Sequence, residues 1–451
     1  MSGKNGRLII NNMNQLLKTN CKLSLTNLQT HCEVDYIIGS GAQGEVYKVD
    51  LDRKSLALKW YLPRAATNKQ RDILKTLIDK GPPASSFLWP ILFAESPNIP
   101  GFGYFMPLRD KRFKSLTNLM KRRIDPSFQI LCLTGANLAH NFLQLHSKGL
   151  CYRDISFGNI FLDPNTAEIQ ICDNDNVTED DQSQGGILGT PRFMAPELVR
   201  REARPSSQTD LFSLSVLLFY LLLLHHPLEG KKELSIKCLD LPAMNRLYGK
   251  EPLFIFDPTD SSNEPVSGHH DNALIFWPIY PKFLRDLFIQ AFGEGLVDPT
   301  SRVRESEWRS ALTLLSDSIF YCSNCESENF YDSDFLKTNQ GSAGTCWSCK
   351  NTLSLPPRIK IENKIIMLNK NSKLFPYHID DSKPCDFSSP IGERTVNSSD
   401  LEQPAIKNSS TEKWVSSLPG ETPQDILPGE KLNLVTGTKV YFGKKKGIIR
   451  V

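Results

Sequence analysis

The sequence predicts an α+β chain in four parts: an N-terminal extension, a strand-rich lobe leading into a larger helical lobe, a short cysteine-rich segment and a small all-β tail. Three observations carry this expectation. Residues 34–61 hold short runs of β-type residues, broken by a glycine cluster and by the turn Asp52-Arg53-Lys54. Beyond Arg112, apolar residues recur at intervals of three and four, and Leu211 to Leu224 is apolar nearly all round, as a central buried helix would be. Finally, two Cys-x-x-Cys pairs sit in residues 317–352, a stretch with few apolar residues of its own.

Residues 1–30 are rich in Asn, Lys and Leu without a clear period, and read as an extension whose one candidate element is a helix. Strands are expected at Tyr36-Ile37-Ile38, Val46-Tyr47-Lys48-Val49 and Leu56 to Tyr61. A helix follows over Ile73, Leu74, Leu77 and Ile78, stopped by Gly81-Pro82-Pro83. Further strands are expected at Trp89 to Phe93 and Tyr104 to Leu108, and a helix over Ile130 to His146. After Pro356-Pro357 the chain alternates again to Val451, with Pro and Gly punctuation, as a small β unit would. The resulting boundaries are 1–30 for the extension, 31–107 and 108–316 for the two lobes, 317–352 for the cysteine segment and 353–451 for the tail.

Composition narrows the function. A length of 451 residues suggests roughly three folded units. Lys plus Arg number 53 and Asp plus Glu 50, a net charge of +3, which argues against a general binder of nucleic acid or anionic membrane. The longest near-apolar run, Leu211 to Leu224, falls short of the roughly 20 residues that span a bilayer. Leu8-Ile9-Ile10 is too short for the apolar core of a secretory signal. Of 11 cysteines, four form two tight pairs and the rest are scattered, which suits a reducing, cytoplasmic compartment and one metal site.

The chemistry lies in a series of short motifs. Gly39-Ser40-Gly41-Ala42-Gln43-Gly44-Glu45-Val46 falls between two expected strands. A dinucleotide fingerprint needs a helix after it, so a glycine flap over nucleotide phosphates fits better, with a plain glycine-rich hairpin as the bland alternative. On the next strand, Lys59, in Ala57-Leu58-Lys59, is placed to reach the α- and β-phosphates beneath that flap. Tyr152-Arg153-Asp154-Ile155-Ser156-Phe157-Gly158-Asn159 puts a carboxylate and an amide five residues apart and resembles the protein-kinase catalytic loop, a likeness that implies Asp154 as acceptor of the substrate hydroxyl's proton and Asn159 as a Mg²⁺ ligand. Asp173, in Cys172-Asp173-Asn174-Asp175, would be the second metal ligand. Gly189-Thr190-Pro191, Ala195-Pro196-Glu197 and Asp298 to Arg302 complete the series, with Arg302 suited to pair with Glu197.

Taken in order and at these spacings, the motifs resemble those of protein kinases over roughly residues 31–316. The resemblance implies a two-lobed protein-kinase fold followed by a zinc ribbon and a small all-β domain. It implies ATP held by Gly39, Ser40, Gly41, Gly44, Val46, Ala57, Lys59 and Met106, with Mg²⁺ or Mn²⁺ on Asn159 and Asp173, and catalysis by Lys59, Asp154, Asn159 and Asp173. The strings YRDISFGNIF, ICDNDNV, GTPRFMAPE and HHPLEG are similar to bacterial kinases of the tellurium-resistance phosphorylation triad. That likeness implies a protein substrate, and as partners a PP2C-type phosphatase and a von Willebrand A-type protein, in stress signalling.

The chain departs from the kinase pattern in four places. The helix glutamate that usually pairs with the strand lysine is replaced by Gln70, with Asp72 a candidate substitute. Ser156 and Gly158 stand where a cation is usual. Asp-Phe-Gly becomes Asp173-Asn174-Asp175, which adds a carboxylate that would tune or join metal binding. Tyr152 replaces a histidine. Glu179-Asp180-Asp181 reads either as a phosphate mimic facing Arg153 or as a solvated acidic loop, and Thr178, Ser183 and Thr190 are candidate phosphosites. Asp210 is expected to hold the catalytic-loop backbone, and His225 and His226 read as polar helix-end residues.

Cys322, Cys325, Cys346 and Cys349 have 20 residues between the two pairs, the spacing of a structural Zn²⁺ site filled by four thiolates. Two disulfides are the alternative. Phe330, Tyr331 and Trp347 would form a mini-core or a docking surface. The tail's Leu427-Pro428-Gly429-Glu430 and Val440-Tyr441-Phe442-Gly443 resemble the closing strands of forkhead-associated sandwiches, without their phosphothreonine-binding Ser-Arg-x-x-His element. The functional expectation is an ATP- and Mg²⁺-dependent kinase for protein Ser/Thr hydroxyls. The rivals are a pseudokinase scaffold, favoured by Gln70, Ser156 and Asn174, and an adaptor working through residues 317–451.

Overall fold

A computed structural model describes residues 15–26, 31–180, 189–397, 400–418 and 420–451. The N-terminal lobe is a six-stranded antiparallel sheet. Its strands are β1 (Cys21–Ser24), β2 (His31–Ser40), β3 (Gly44–Leu51), β4 (Lys54–Tyr61), β5 (Leu92–Ser96) and β6 (Ile99–Pro107), in the order β1-β2-β3-β4-β6-β5. The first strand lies in the expected extension. Leu17, Leu23 and Leu25 are buried with Val34, Tyr47 and Leu58, so residues before 31 already build this sheet's core. The strand expected at Trp89 begins at Leu92 instead; Trp89 is buried, and its indole donates to the carbonyl of Leu77 at 2.8 Å.

Helix α1 (Asn68–Lys80) packs beside the sheet. Thr67 caps its start by accepting from the Gln70 amide, and Gly81, at φ 67°, ends it. Leu74 and Leu77 face inward while Asp72 faces solvent.

The C-terminal lobe is built on helices α2 (Leu116–Met120), α3 (Phe128–His146), α4 (Pro196–Val199) and α5 (Ser207–Leu223). Helix α5 starts in a reciprocal capping box between Ser206 and Thr209, and its residues Thr209 to Leu223 are all buried. Its uniform apolarity therefore serves a protein core, and no helix among the described residues is long and apolar enough to cross a membrane. Arg302 ties the lobe together. Its guanidinium makes a two-pronged pair with Glu197, both bonds 2.9 Å, and also donates to the carbonyls of Gly295 and Gln208.

The helix Glu305–Asp317 runs against α3 and leads straight into a two-stranded ladder, Ile319–Tyr321 with Glu328–Phe330, which carries the first cysteine pair. The tail forms two antiparallel sheets, one of six strands and one of four, that share a core including Ile359, Leu374, Ile406, Trp414 and Phe442. It is anchored to the helical lobe where Tyr377 donates to Asp317 at 2.8 Å and His378 sits 3.1 Å from the same carboxylate.

Candidate active site

The cleft between the lobes encloses a cavity of about 910 Å³. Its walls include Gly39, Ser40, Gly41, Gly44, Val46, Ala57, Lys59 and Met106 from the N-terminal lobe, and Asp154, Asn159 and Asp173 from the other. Every residue expected to hold the nucleotide or Mg²⁺ thus lines one cavity.

Strand pairing explains the upper wall. Val46 lies opposite Lys59 and Ala57 opposite Met106, so side chains from β3, β4 and β6 face the same space. Gly44 is required by close approach: a Cβ there would lie 2.4 Å from the carbonyl oxygen of Trp60. At Gly39 a Cβ would meet nothing within 4 Å, so the flap borders open cavity.

The lower wall is held from beneath. The Asp210 carboxylate accepts from the backbone amides of Tyr152 and of Arg153, the latter at 3.0 Å. Arg153 has φ 77°, a left-handed conformation that costs energy for a non-glycine residue and needs such anchoring. Tyr152 is fully buried and its hydroxyl donates to the Cys172 carbonyl, so it joins the loop bearing Asp154 to the segment bearing Asp173. Asn159 donates to the Asp154 backbone carbonyl at 2.9 Å and to its carboxylate at 3.2 Å. Thr190 donates to the other carboxylate oxygen of Asp154 at 3.0 Å.

The lysine environment differs from the expectation. Lys59 Nζ lies 2.9 Å from Asp173 Oδ1, and 2.9 and 2.8 Å from the two oxygens of Asp175. Asp175 also accepts from the hydroxyls of Tyr61 and Tyr104. Burial alone would raise the Asp175 carboxyl. Lys59 and the two hydroxyls outweigh it and hold the group below the usual carboxylate range. Burial likewise opposes the Lys59 charge, and Asp175 and Asp173 raise its pKa above the ordinary lysine value regardless.

Two sequence expectations, for Asp175 and for Asp72, are therefore corrected. Asp175 does not reach out to a metal: its side chain is wholly buried and both oxygens are taken by the lysine and the tyrosines. Gln70 does not bond Lys59; its amide donates to the Tyr61 hydroxyl and the Asp175 carbonyl, each at 3.1 Å. Asp72 is not a substitute acid, because it faces solvent. Tyr61 and Tyr104 were missed, although Tyr61 follows Lys59 by one strand period and Tyr104 lies directly opposite it on β6.

Asn174 is buried and donates to the Ile171 carbonyl at 2.9 Å, while the left-handed conformation falls on Asp173 at φ 56°. Of the acidic run, Glu179 pairs with Lys80 at 2.9 Å and Asp180 accepts from the amide and hydroxyl of Ser207. These contacts supply partners other than Arg153. Asp181 and Ser183 lie outside the described residues. His226 is buried; its Nδ1 accepts from the Leu228 amide and its Nε2 lies 2.8 Å from the Arg192 carbonyl, so its ring is a structural strut.

The second cluster is formed by Cys322, Cys325, Cys346 and Cys349, whose sulfurs all lie within 4.8 Å of one another. The sulfurs of Cys322 and Cys349 are 3.6 Å apart and those of Cys325 and Cys346 are 3.7 Å apart. Disulfides would need about 2.05 Å. A tetrahedron of Zn–S bonds of about 2.3 Å spaces its sulfurs by about 3.8 Å, so the cluster is compatible with structural zinc. The two knuckles match: the residue after each second cysteine, Glu326 at φ 58° and Lys350 at φ 63°, turns left-handed. Phe330 and Trp347 pack edge-on against Phe128 of α3, which makes this surface a docking face, and Glu328 accepts from the Phe128 and Gln129 amides.

Residues 114–269 match the model of the protein kinase domain. The match begins after the glycine flap and Lys59, so the upper wall of the cavity rests on its own geometry. A probable serine/threonine-protein kinase of Zea mays is 31% identical over 120 residues, 26% of this chain and 19% of that protein. One of Dictyostelium discoideum is 26% identical over 199 residues, 41% of this chain and 20% of that protein. Protein kinase MCK1 of Saccharomyces cerevisiae is 26% identical over 163 residues, 35% of this chain and 40% of that protein. The chain thus spans between about a fifth and two fifths of the length of these relatives, and it contains a protein kinase domain with serine/threonine-kinase homologues.

Proposed function

We propose that the chain is an ATP- and Mg²⁺-dependent protein kinase that transfers the γ-phosphoryl group to serine or threonine hydroxyls. The observation that carries this reading is the convergence of Lys59, Asp154 and Asp173, from three separate stretches of chain, on one cavity. Asp173 and Asn159 offer hard oxygen donors on that cavity, which suits Mg²⁺. When bound, the metal neutralises charge developing on the phosphates.

The chain's own residues do the rest. The glycine flap and Lys59 grip the triphosphate from above. Asp154, oriented by Thr190 and Asn159, accepts the hydrogen bond of the acceptor hydroxyl and aims its oxygen at the phosphorus. Little covalent chemistry is asked of the protein, so rate comes from positioning and charge. With Ser156 and Gly158 in place of cations, the cationic side chains on the cavity wall among the described residues are Lys59, Arg109 and Lys111.

Transfer of labelled phosphate from ATP, measured for the full chain and for Asp154→Ala and Asp173→Ala, tests the reading. Wild-type transfer lost in both variants supports it; nucleotide binding without transfer would identify a scaffold. The finer reading adds a cytoplasmic bacterial stress enzyme, acting with a PP2C-type phosphatase and a von Willebrand A-type protein, and one structural zinc in the cysteine cluster. It rests on the sequence resemblance and the donor set. Phosphorylation of the von Willebrand A-type protein, reversed by the PP2C-type phosphatase, tests the partners.

A further inference from the structure

We propose that Asp175, gripped by Tyr61 and Tyr104, is the acid that positions Lys59, and that helix α1 supplies no charge to the nucleotide site. The inference deepens the kinase reading and rests on it in one respect, that Lys59 handles the phosphates. The geometry is a closed set. One Asp175 oxygen accepts from Lys59 and Tyr104, both at 2.9 Å; the other accepts from Lys59 at 2.8 Å and from Tyr61. Four donated hydrogen bonds fill the carboxylate, so its place is fixed before any nucleotide arrives.

The side chain that α1 brings to this network is the neutral amide of Gln70, which touches Tyr61 and the Asp175 backbone. A charged hydrogen bond is about twice as strong as a neutral one, so the lysine is set by Asp175 rather than by the helix. The control point moves with the acid. Asp173 and Asp175 belong to one short turn, residues 173–176, and both pair with Lys59. Displacing that turn would break both ion pairs together, whereas a shift of α1 would remove only Gln70's neutral bonds from this network. Tyr61 and Tyr104 are thus positioning residues, acting through Asp175 on Lys59.

The full chain, with Mg-ATP and a protein acceptor, tests this by separating KM for ATP from kcat. Asp175→Asn is expected to raise KM for ATP roughly tenfold or more and to lower kcat, because one charged partner of the lysine becomes neutral. Adding Gln70→Glu to that variant is expected to recover at least a third of the loss, by returning a carboxylate beside Tyr61. Tyr104→Phe removes a single hydrogen bond and is expected to raise KM about threefold. It keeps the test alive if Asp175→Asn fails to fold. Asp72→Asn, on the solvent face of α1, is expected to change neither constant. Unchanged constants in both Asp175→Asn and Tyr104→Phe would overturn the proposal, as would a double variant no better than a folded Asp175→Asn. Titration of ATP affinity by fluorescence distinguishes this from failure of the kinase reading: if wild type binds ATP but transfers no phosphate, loss of affinity in Asp175→Asn and its return in the double variant still support the proposal.

Discussion

Thr190 donates its hydroxyl to Asp154 across 3.0 Å, so the segment bearing Gly189 and Thr190 is fastened directly to the proposed base. Asn159 holds the opposite oxygen of the same carboxylate. Two donors on two oxygens leave the carboxylate little rotational freedom. Thr190→Val keeps the shape and removes the donor. It is expected to lower kcat about tenfold while leaving the KM for ATP near wild type, and Thr190→Ser to restore most of the loss. Phosphorylation at Thr190 would remove the donor and bring negative charge against Asp154, so it is expected to inactivate. Steady-state kinetics with ATP and a protein acceptor check both points.

A second prediction concerns pH. His146, at the end of α3, is buried between Asp210 and Glu305, with Nε2 3.2 Å from Asp210 and Nδ1 bonded to Glu305. Burial would lower its pKa, but the two carboxylates override it and raise the value to about 9. The folded value lies above the unfolded one of about 6.5, so the stabilisation is complete below pH 6.5 and is lost as pH rises through 9. The difference corresponds to roughly 3 kcal/mol. Wild-type melting temperature should therefore fall between pH 6.5 and 9.5 by more than that of His146→Gln, with the two curves converging at the alkaline end. Because Asp210 also carries the amides of Tyr152 and Arg153, the same pH rise should loosen protection of those amides in hydrogen exchange.

Much of this was legible in the sequence, and the failures have common causes. The central helix follows from a pattern carried within one segment, whereas the Glu197–Arg302 pair, 105 residues apart, and the cavity-lining residues follow from short motifs taken together in order. The first strand was missed because Cys21–Ser24 is four residues long and its pairing with β2 is a tertiary fact with no local period. Spacing gives distance along the chain and not direction, so it sets Asp175 near a metal ligand without showing where its carboxylate points. Only the register that sets Tyr104 opposite Lys59, and the turn that points Asp175 inward, reveals its partner. The docking of Glu328 on α3 joins residues 200 apart, and no motif encodes it.

The Glu197–Arg302 pair gives a stability prediction. Arg302 is 1% exposed at its side chain, and its guanidinium satisfies two carboxylate oxygens and two backbone carbonyls. Glu197→Gln leaves that cation buried with a weaker partner and is expected to cost about 3–5 kcal/mol. Arg302→Lys should cost nearly as much, since an ammonium cannot reproduce the planar fork. Thermal melting of each variant checks the magnitude. ATP affinity of the protein that remains folded should be close to wild type, because neither residue lines the cavity.

The last prediction concerns the four cysteines. Metal analysis of purified, non-chelated protein should find about one zinc per chain, and Cys346→Ser should lose it. The consequence should not stop at the cluster. Glu328 lies on the second strand of the cysteine-bearing ladder and caps the start of α3, while Phe330 and Trp347 cover Phe128 there. The other end of α3 is His146, which holds Asp210 beneath the catalytic loop. Chelation should therefore lower the melting temperature of the whole kinase lobe and expose the amides of residues 128–132 to exchange. Glu328→Gln, which keeps the metal but weakens the cap, should reproduce the exchange at α3 without loss of zinc. If chelated protein keeps full protection over residues 128–132, the cysteine segment is an independent appendage and the brace does not exist.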